Sequence, residues 1–268
     1  MSDQIIMLGT GSAMVTKCYN TCFVLKTGNE NLLVDAGGGN GILSQIDSVG
    51  IDWSDLKYMF VTHAHTDHIL GVVWVIRKIS SLILENKYEN NFNIYCHDEA
   101  AKAIYSLCKA TLALKFLNCL DKNIFINEVI DGEKLIINDM SIEFFDIHSD
   151  KTKQFGFTAL LSDKRRLACL GDEPYNPKCR KYVYGCDYMM CEAFCLYSQR
   201  DEFKPYEKFH STASDAGKLA EELEIKNLIL YHTEDKNLNT RKNSYTSEVK
   251  TVFSGNVYVP DDLEVIDL

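Results

Sequence analysis

A short apolar run leads directly into a cluster of side chains that can bind metals. Residues 56–63 read LKYMFVTH and predict a buried strand, and the next five residues complete the pattern H-x-H-x-D-H with His63, His65, Asp67 and His68. Residues 69–87 then show the broad apolar face of a helix. Polar residues at the end of a buried strand can converge on one point without breaking the core. The order of strand, polar turn and helix therefore predicts an α/β protein with a site at this turn.

The rest of the chain is built from the same two kinds of segment. Apolar runs and helical patterns follow one another in the order strands, helices, more strands and more helices. This order fits two sheets with helices on the outside better than a barrel or a doubly wound parallel sheet. Residues 99–116 predict one helix, residues 122–149 three antiparallel strands, and residues 227–235 the final strand. Because no low-complexity linker interrupts the pattern, we predict a single domain over residues 1–268.

The overall charge limits the classes of partner. The 268 residues carry a formal net charge of -10, so the surface has no general attraction for nucleic acids or anionic membranes, although a local basic patch is still compatible with it. The first residues lack the basic region of a signal peptide, and no apolar stretch reaches the roughly 18 residues of a membrane span. Ten cysteines without a C-x-x-C pair indicate reduced thiols. We therefore expect a cytoplasmic protein without a membrane partner.

Three further donors stand at the ends of predicted strands. His148 follows IEFFDI, Asp172 follows LACLG, and His232 follows NLILY. Taken singly, each also fits a solvated turn residue. Together with the first cluster they provide histidine nitrogens and carboxylates, which suit zinc, manganese or iron. A shared carboxylate such as Asp172 would allow two ions about 3.5–4 Å apart, which can hold a hydroxide and a scissile oxygen.

These motifs resemble the metallo-β-lactamase superfamily and, within it, ribonuclease Z. Besides H-x-H-x-D-H, the order of LGTGSA, TKCYNTCFVL and NLLVDAGGG is similar to a ribonuclease Z N-terminus, and the resemblance covers nearly the full length. It implies an αββα four-layer sandwich and two divalent ions, zinc in the first place and manganese as the alternative. A histidine at position 65, where the iron-type redox branch usually has glutamate, favours hydrolysis over oxygen reduction. The resemblance assigns one ion to His63, His65 and His148, the other to Asp67, His68 and His232, and both to Asp172.

A second signature concerns the group that leaves during phosphodiester hydrolysis. HSTASDA, which begins at His210, and Glu192 in MMCEAF resemble ribonuclease Z. The resemblance implies that His210 lies beside the departing oxygen and that Glu192 orients it. An alkoxide leaving group needs a proton or a positive charge, and a histidine held by a carboxylate supplies both. The resemblance also gives Asp67 a part in taking the proton of the attacking water. Ser211 or Thr212 would hold the phosphoryl oxygens; a loop histidine beside a capped helix is the alternative interpretation.

The chain departs from ribonuclease Z in one large respect. His148 and Asp172 are 24 residues apart, which leaves room for a hairpin but not for the long arm that grips tRNA in that family. We therefore expect a ribonuclease Z-like phosphodiesterase or endoribonuclease, with RNA as a candidate substrate and a homodimer by family analogy. One alternative is a small-molecule hydrolase: a cyclic-nucleotide or other phosphodiesterase, a lactonase or a thioesterase. Another is a non-catalytic, metal-stabilised binding protein.

The remaining polar and glycine-rich stretches have structural interpretations. GTGSA and DAGGGNG lack the patterns of nucleotide-binding loops and predict tight turns. Asp35 is expected to orient a metal ligand or to close its turn. His97 lies between a strand and a helix and is expected to be structural or exposed. Lys17 and Asn20 are candidate phosphate contacts, with a solvated loop as the commoner explanation.

Overall fold

In the part of the chain that the computed structural model describes, residues 3–137 and 140–268, the strands form two seven-stranded sheets. Each sheet belongs to its own unit. The first unit contains the chain up to Gly9, Tyr19–Ile130 and Asp262–Leu268, and the second contains Thr10–Cys18 and Asp131–Asp261. The single domain over residues 1–268 stays a prediction, and Asn138, the predicted end of one strand, lies outside the described residues.

The strands are β1 (Gln4–Gly9), β2 (Cys22–Thr27), β3 (Glu30–Val34), β4 (Tyr58–Val61), β5 (Phe92–Cys96), β6 (Ile124–Glu128), β7 (Lys134–Ile137), β8 (Met140–Asp146), β9 (Phe155–Leu160), β10 (Arg166–Cys169), β11 (Tyr188–Glu192), β12 (Asn227–Tyr231), β13 (Asn256–Tyr258) and β14 (Val265–Asp267). The helices are α1 (Gly41–Ser48), α2 (Thr66–Leu84), α3 (Asp98–Thr111), α4 (Leu114–Leu117), α5 (Arg180–Val183), α6 (Arg200–Phe203), α7 (Ala213–Glu222) and α8 (Leu238–Val249). Among the residues described, none of these helices is long and apolar enough to cross a bilayer.

The sheet of the first unit has the order β14-β1-β2-β3-β4-β5-β6. Neighbouring strands are antiparallel from β14 to β3 and parallel from β3 to β6. Helix α2 buries Val72, Val75, Ile76 and Ile79 at helical spacing, so one apolar face packs into the core of this unit. Because parallel strands end at the same edge, β3 and β4 bring the residues that follow them to one place.

Two predictions for the first unit are wrong in detail. Strand β6 pairs in parallel with β5, not antiparallel with β7, because the helical segment between β5 and β6 returns the chain to the same edge. The predicted helix over residues 99–116 is divided into α3 and α4. Leu112 and Ala113 between them have extended backbone angles and separate the two helices.

The sheet of the second unit has the order β13-β12-β11-β10-β9-β8-β7. Strands β7 to β10 are antiparallel, and β10 to β13 are parallel. The carboxyl ends of β10, β11 and β12 therefore share one edge, where Asp172, Glu192 and His232 lie at or just beyond the strand ends.

The prediction that residues 227–235 contain the final strand is also wrong, because α8, β13 and β14 follow. Helix α8 is polar, and its buried residues are Arg241, Tyr245 and Val249, one on each turn. Only Tyr245 and Val249 among these are apolar, and two such positions give no recognisable amphipathic pattern in the sequence. The guanidinium of Arg241 is nevertheless buried, and it donates hydrogen bonds to Thr10 Oγ1 and Thr233 Oγ1.

Candidate metal centre

The H-x-H-x-D-H motif is divided between a turn and a helix. β4 ends at Val61, and α2 begins at Thr66, so His63 and His65 lie on the connecting turn while Asp67 and His68 lie in the first helical turn. The sequence alone predicts all four residues on one loop, and the structure differs because α2 begins before Asp67. A helix start brings its first-turn side chains close to the residues before it, which concentrates the donors further.

The four side chains of this motif converge within the first unit. His63 Nε2 lies 2.9 Å from His65 Nδ1, and the rings of His63 and His68 have centroids 4.2 Å apart. His63, Asp67 and His68 are buried, and His65 is half-buried. His68 Nε2 also lies 3.4 Å from Asp67 Oδ2, and three imidazoles and a carboxylate are side chains that suit divalent transition metals.

Asp35 fixes the orientation of one of these donors, as expected from the sequence. Its carboxylate accepts hydrogen bonds from the backbone N (2.8 Å) and the hydroxyl (2.7 Å) of Thr62, and His68 Nδ1 lies 2.7 Å from its Oδ2. A carboxylate partner at Nδ1 leaves Nε2 of His68 as the nitrogen for a metal. Asp35 adopts the left-handed backbone conformation, with φ 54°, directly after β3.

The glycine-rich stretch after β3 lets helix α2 approach closely. The N–H of Gly71 in α2 donates to the carbonyl of Gly37 at 2.9 Å, and a Cβ on Gly71 would lie 1.8 Å from the carbonyl oxygen of Ala36. This packing explains DAGGGNG as a turn that receives a helix, in agreement with its interpretation from sequence.

The second unit brings Asp172 and His232 together. Both are buried, and His232 Nε2 lies 3.5 Å from Asp172 Oδ2. Gln154, fully buried before β9, donates from its Nε2 to Asp172 Oδ1 and so holds the carboxylate from its other side. Sequence reasoning missed Gln154, because a single amide before a strand carries no pattern.

His148, like His65, is only half-buried, whereas the other expected ligands are buried. Its side chain is 35% exposed, and its Nδ1 lies 4.0 Å from Asp146 Oδ2. Within the described residues of the second unit, it is not part of the donor cluster around His232. His148 and His232 both have φ of 58°. Left-handed backbone at residues with a Cβ is uncommon and concentrates at functional sites, so the two strand ends share this feature with Asp35.

Glu192 and His210 form the second feature predicted from sequence. Glu192 is fully buried at the end of β11, and its Oε2 lies 3.6 Å from His210 Nδ1. The ring of His210 stacks on Phe194, with centroids 5.1 Å apart and an interplanar angle of 13°, and its centroid lies 5.1 Å from that of His232. Burial lowers the pKa of His210, but the Glu192 carboxylate raises it, and on balance this pKa lies above its ordinary value.

The hydroxyl groups of Ser211 and Thr212, which follow His210, already form hydrogen bonds within the protein. Ser211 donates from its backbone N and its hydroxyl to Glu192 Oε1, and Thr212 caps helix α7 in a reciprocal arrangement with Asp215. These contacts hold the His210 loop against Glu192. They disfavour Ser211 and Thr212 as ligands of phosphoryl oxygens.

Two of the three remaining candidate positions, His97 and Lys17, make structural contacts, and a phosphate contact of Lys17 or Asn20 stays a prediction. His97 is fully buried and caps the N-terminus of α3, where its Nδ1 accepts a hydrogen bond from the backbone N of Ala100 at 3.4 Å. Lys17 lies on an exposed loop, and its backbone N donates to Asp235 Oδ2 at 3.0 Å.

Comparison with known proteins identifies relatives along the whole chain. Ribonuclease Z of Thermococcus sibiricus is 23% identical over 305 residues, which cover 99% of this chain and 96% of the relative. Ribonuclease Z of Phocaeicola vulgatus is 24% identical, over 85% of this chain and 86% of the relative. These similarities confirm the predicted likeness to ribonuclease Z.

Solved structures share the fold. The metallo-β-lactamase fold protein YhfI from Bacillus subtilis superposes with a TM-score of 0.80 at 18% identity, over 100% of both chains. The short form of human tRNase Z gives 0.76 at 19% identity, over 98% of both chains. A diphosphatase of the PhnP family gives 0.73 at 14% identity, over 100% of this chain and 98% of the other. The predicted metallo-β-lactamase fold is therefore confirmed.

A family model extends the comparison to a narrower group. The model described as Anti-Pycsar protein Apyc1 matches residues 3–258. The homologues, the fold and the buried histidine and aspartate side chains together support a metal-dependent hydrolase. The chain belongs to the Anti-Pycsar protein Apyc1 family.

Proposed function

We propose that this protein is a phosphodiesterase that uses two divalent metal ions, with zinc as the first candidate and manganese as the second. The ligands are those implied by the resemblance to ribonuclease Z: His63, His65 and His148 for one ion, Asp67, His68 and His232 for the other, and Asp172 for both. When bound, such a pair of ions lowers the pKa of water and supplies positive charge for phosphoryl oxygens.

The Glu192–His210 pair is the observation that carries the proposal. The carboxylate faces Nδ1 of His210 at 3.6 Å, so Nε2 is the ring nitrogen that remains for a proton directed at substrate. Stacking on Phe194 and the neighbouring Ser211–Glu192 hydrogen bonds restrict movement of the ring. A histidine fixed in this way beside His232 is suited to donate a proton to a departing alkoxide.

The substrate is either RNA or a small phosphodiester. The names of the ribonuclease Z relatives favour RNA. The short connection favours a small diester, because residues 149–171 contain β9 and β10 and have no long insertion that could form an arm. A homodimer also stays a prediction, which light scattering of the purified protein tests.

A paired turnover assay tests the proposal. Protein loaded with zinc or with manganese is offered bis(p-nitrophenyl) phosphate, a 3′,5′-cyclic nucleotide, a pre-tRNA with a 3′ trailer and a carboxyl ester such as p-nitrophenyl acetate. Cleavage of the pre-tRNA at the trailer junction would make the protein an armless ribonuclease Z. Cleavage of the small diesters alone would make it a compact phosphodiesterase, and hydrolysis of carboxyl esters alone would contradict the proposal.

Substitution of His210 by alanine separates proton donation from metal binding. We expect the kcat for an unactivated diester to fall by roughly 10²–10⁴-fold, the usual contribution of a positioned acid, while metal content is retained. His97→Asn is the matched control, because asparagine is also a good helix N-cap and His97 lies in a separate unit. Wild-type turnover in the His210 variant would rule out the assigned role.

A further inference from the structure

Phe209 combines an exposed side chain with an unfavourable backbone conformation. Its φ of 57° and ψ of 49° lie in the left-handed region, which disfavours bulky L-residues. The residue is 47% exposed, so packing in the core does not account for a phenylalanine at this position. An exposed, strained aromatic residue beside a candidate site calls for a functional explanation.

The left-handed turn at Phe209 separates the surroundings of Phe209 from those of its sequence neighbour His210. Phe209 follows the 3-10 turn Tyr206–Lys208, and the backbone N of His210 then donates to the carbonyl of Pro205 at 2.9 Å. The chain turns so that His210 is buried against Phe194 while the preceding ring stays accessible. Phe209 is thus the exposed aromatic surface adjoining the proposed proton donor.

Positive charge accompanies this surface. Lys151 Nζ lies 5.5 Å from the centre of the Phe209 ring, and Lys208 Nζ lies 4.9 Å from the centre of the Phe194 ring. Lys151 also faces the buried Glu173, at 3.8 Å, which restricts where its amine can move. Aromatic faces with nearby cations are typical of surfaces that bind planar bases and their phosphates.

We propose that Phe209, assisted by Lys151, binds the departing half of the phosphodiester and selects departing groups that carry a planar ring, such as a nucleobase. The inference rests on the proposed function, because the oxygen that His210 would protonate belongs to that departing half. A group attached to this oxygen must lie next to His210, and Phe209 is an exposed aromatic neighbour that can stack on it, whereas Phe194 is buried against His210.

The test compares two dinucleoside monophosphates that differ in one base. The first carries both bases, and in the second the departing nucleoside is abasic. We expect the ratio of kcat/KM for the two substrates to fall about tenfold in Phe209→Asn, since stacking on an aromatic side chain is the interaction removed. Asparagine adopts the left-handed region readily, so the loop should keep its conformation. Phe209→Tyr keeps the ring and should keep the wild-type ratio.

Tyr197 provides a matched control elsewhere in the same unit. It is 42% exposed and has the guanidinium of Arg200 at 4.1 Å from its ring centre, so Tyr197→Asn removes a similar aromatic–cation pair. An unchanged ratio in Phe209→Asn, or an equal fall in Tyr197→Asn, would overturn the inference. If the inference fails but the wild-type protein hydrolyses bis(p-nitrophenyl) phosphate, the proposed function still stands. Failure of the wild type to cleave any diester would overturn both.

Discussion

Individual buried carboxylates in this protein decide which nitrogen of a neighbouring histidine is available. Asp35 faces His68 Nδ1, and Glu192 faces His210 Nδ1, in two different units. In both cases Nε2 is left for the proposed chemistry, which is metal binding for His68 and proton donation for His210. The same kind of pair therefore serves two purposes, and the surroundings of Nε2 decide which one.

Asp35→Asn tests the first of these pairs. The amide of asparagine would donate to His68 Nδ1 and move the imidazole proton to Nε2, where it blocks metal binding. We expect metal affinity, measured by competition with a chelator, to fall by roughly 10–100-fold. Asp52→Asn is the control, because Asp52 is exposed and caps a 3-10 turn, a position that asparagine fills well. Equal affinity in both variants would show that Asp35 only closes its turn.

At the scale of elements, the contact between α2 and the turn after β3 sets the position of the H-x-H-x-D-H motif. Gly71→Ala should destabilise the protein by about 1–3 kcal/mol, because the new methyl group meets the backbone carbonyl of Ala36. Helix propensity alone predicts that Gly71→Ala stabilises the protein, since alanine is favoured over glycine in a helix by roughly 1 kcal/mol. Urea denaturation measures the difference, with Gly39→Ala as control because its Cβ would meet no atom within 4 Å. Greater stability in Gly71→Ala would contradict the contact.

The same scale shows which elements were predictable from sequence. α2 was recognisable because five of its apolar residues recur on one face, although its first turn was hidden by the polar residues Thr66, Asp67 and His68. α8 was missed because its face is fixed by the buried Arg241, whose partners Thr10 and Thr233 are distant in sequence or lie outside the helix. Strand direction at β6 depended on pairing with β5, which local sequence does not encode.

Across the whole molecule, local motifs were predictable and long-range supports were not. The donors of H-x-H-x-D-H and the Glu192–His210 pair are marked by residue type and spacing. Gln154 contacts Asp172, and Phe194 contacts His210, through strand pairing and loop packing. No short sequence pattern predicts these contacts. The strained backbone at Phe209 was likewise invisible, because phenylalanine is not a residue that signals a left-handed turn.

Thiol reactivity reports on how both units are packed. All ten cysteines lie within the described residues as reduced thiols, and nine are buried, whereas Cys18 is partly exposed. Burial raises the pKa of Cys186 to about 11 and raises the pKa to about 12 for Cys96, Cys108, Cys179 and Cys195. Because the thiolate is the reactive species, a raised pKa leaves little of it near pH 8 and slows modification.

We therefore expect a disulfide reagent such as Ellman's to modify one thiol per folded chain rapidly near pH 8, and all ten after unfolding in guanidinium chloride. Cys18→Ser should remove the rapid phase and leave nine thiols in the unfolded protein. Cys191→Ser, at a fully buried position, should keep the rapid phase. Several rapidly modified thiols in the folded wild type would mean that at least one unit opens on the timescale of the reaction. Such opening would both lower the pKa values of the buried thiols and admit the reagent.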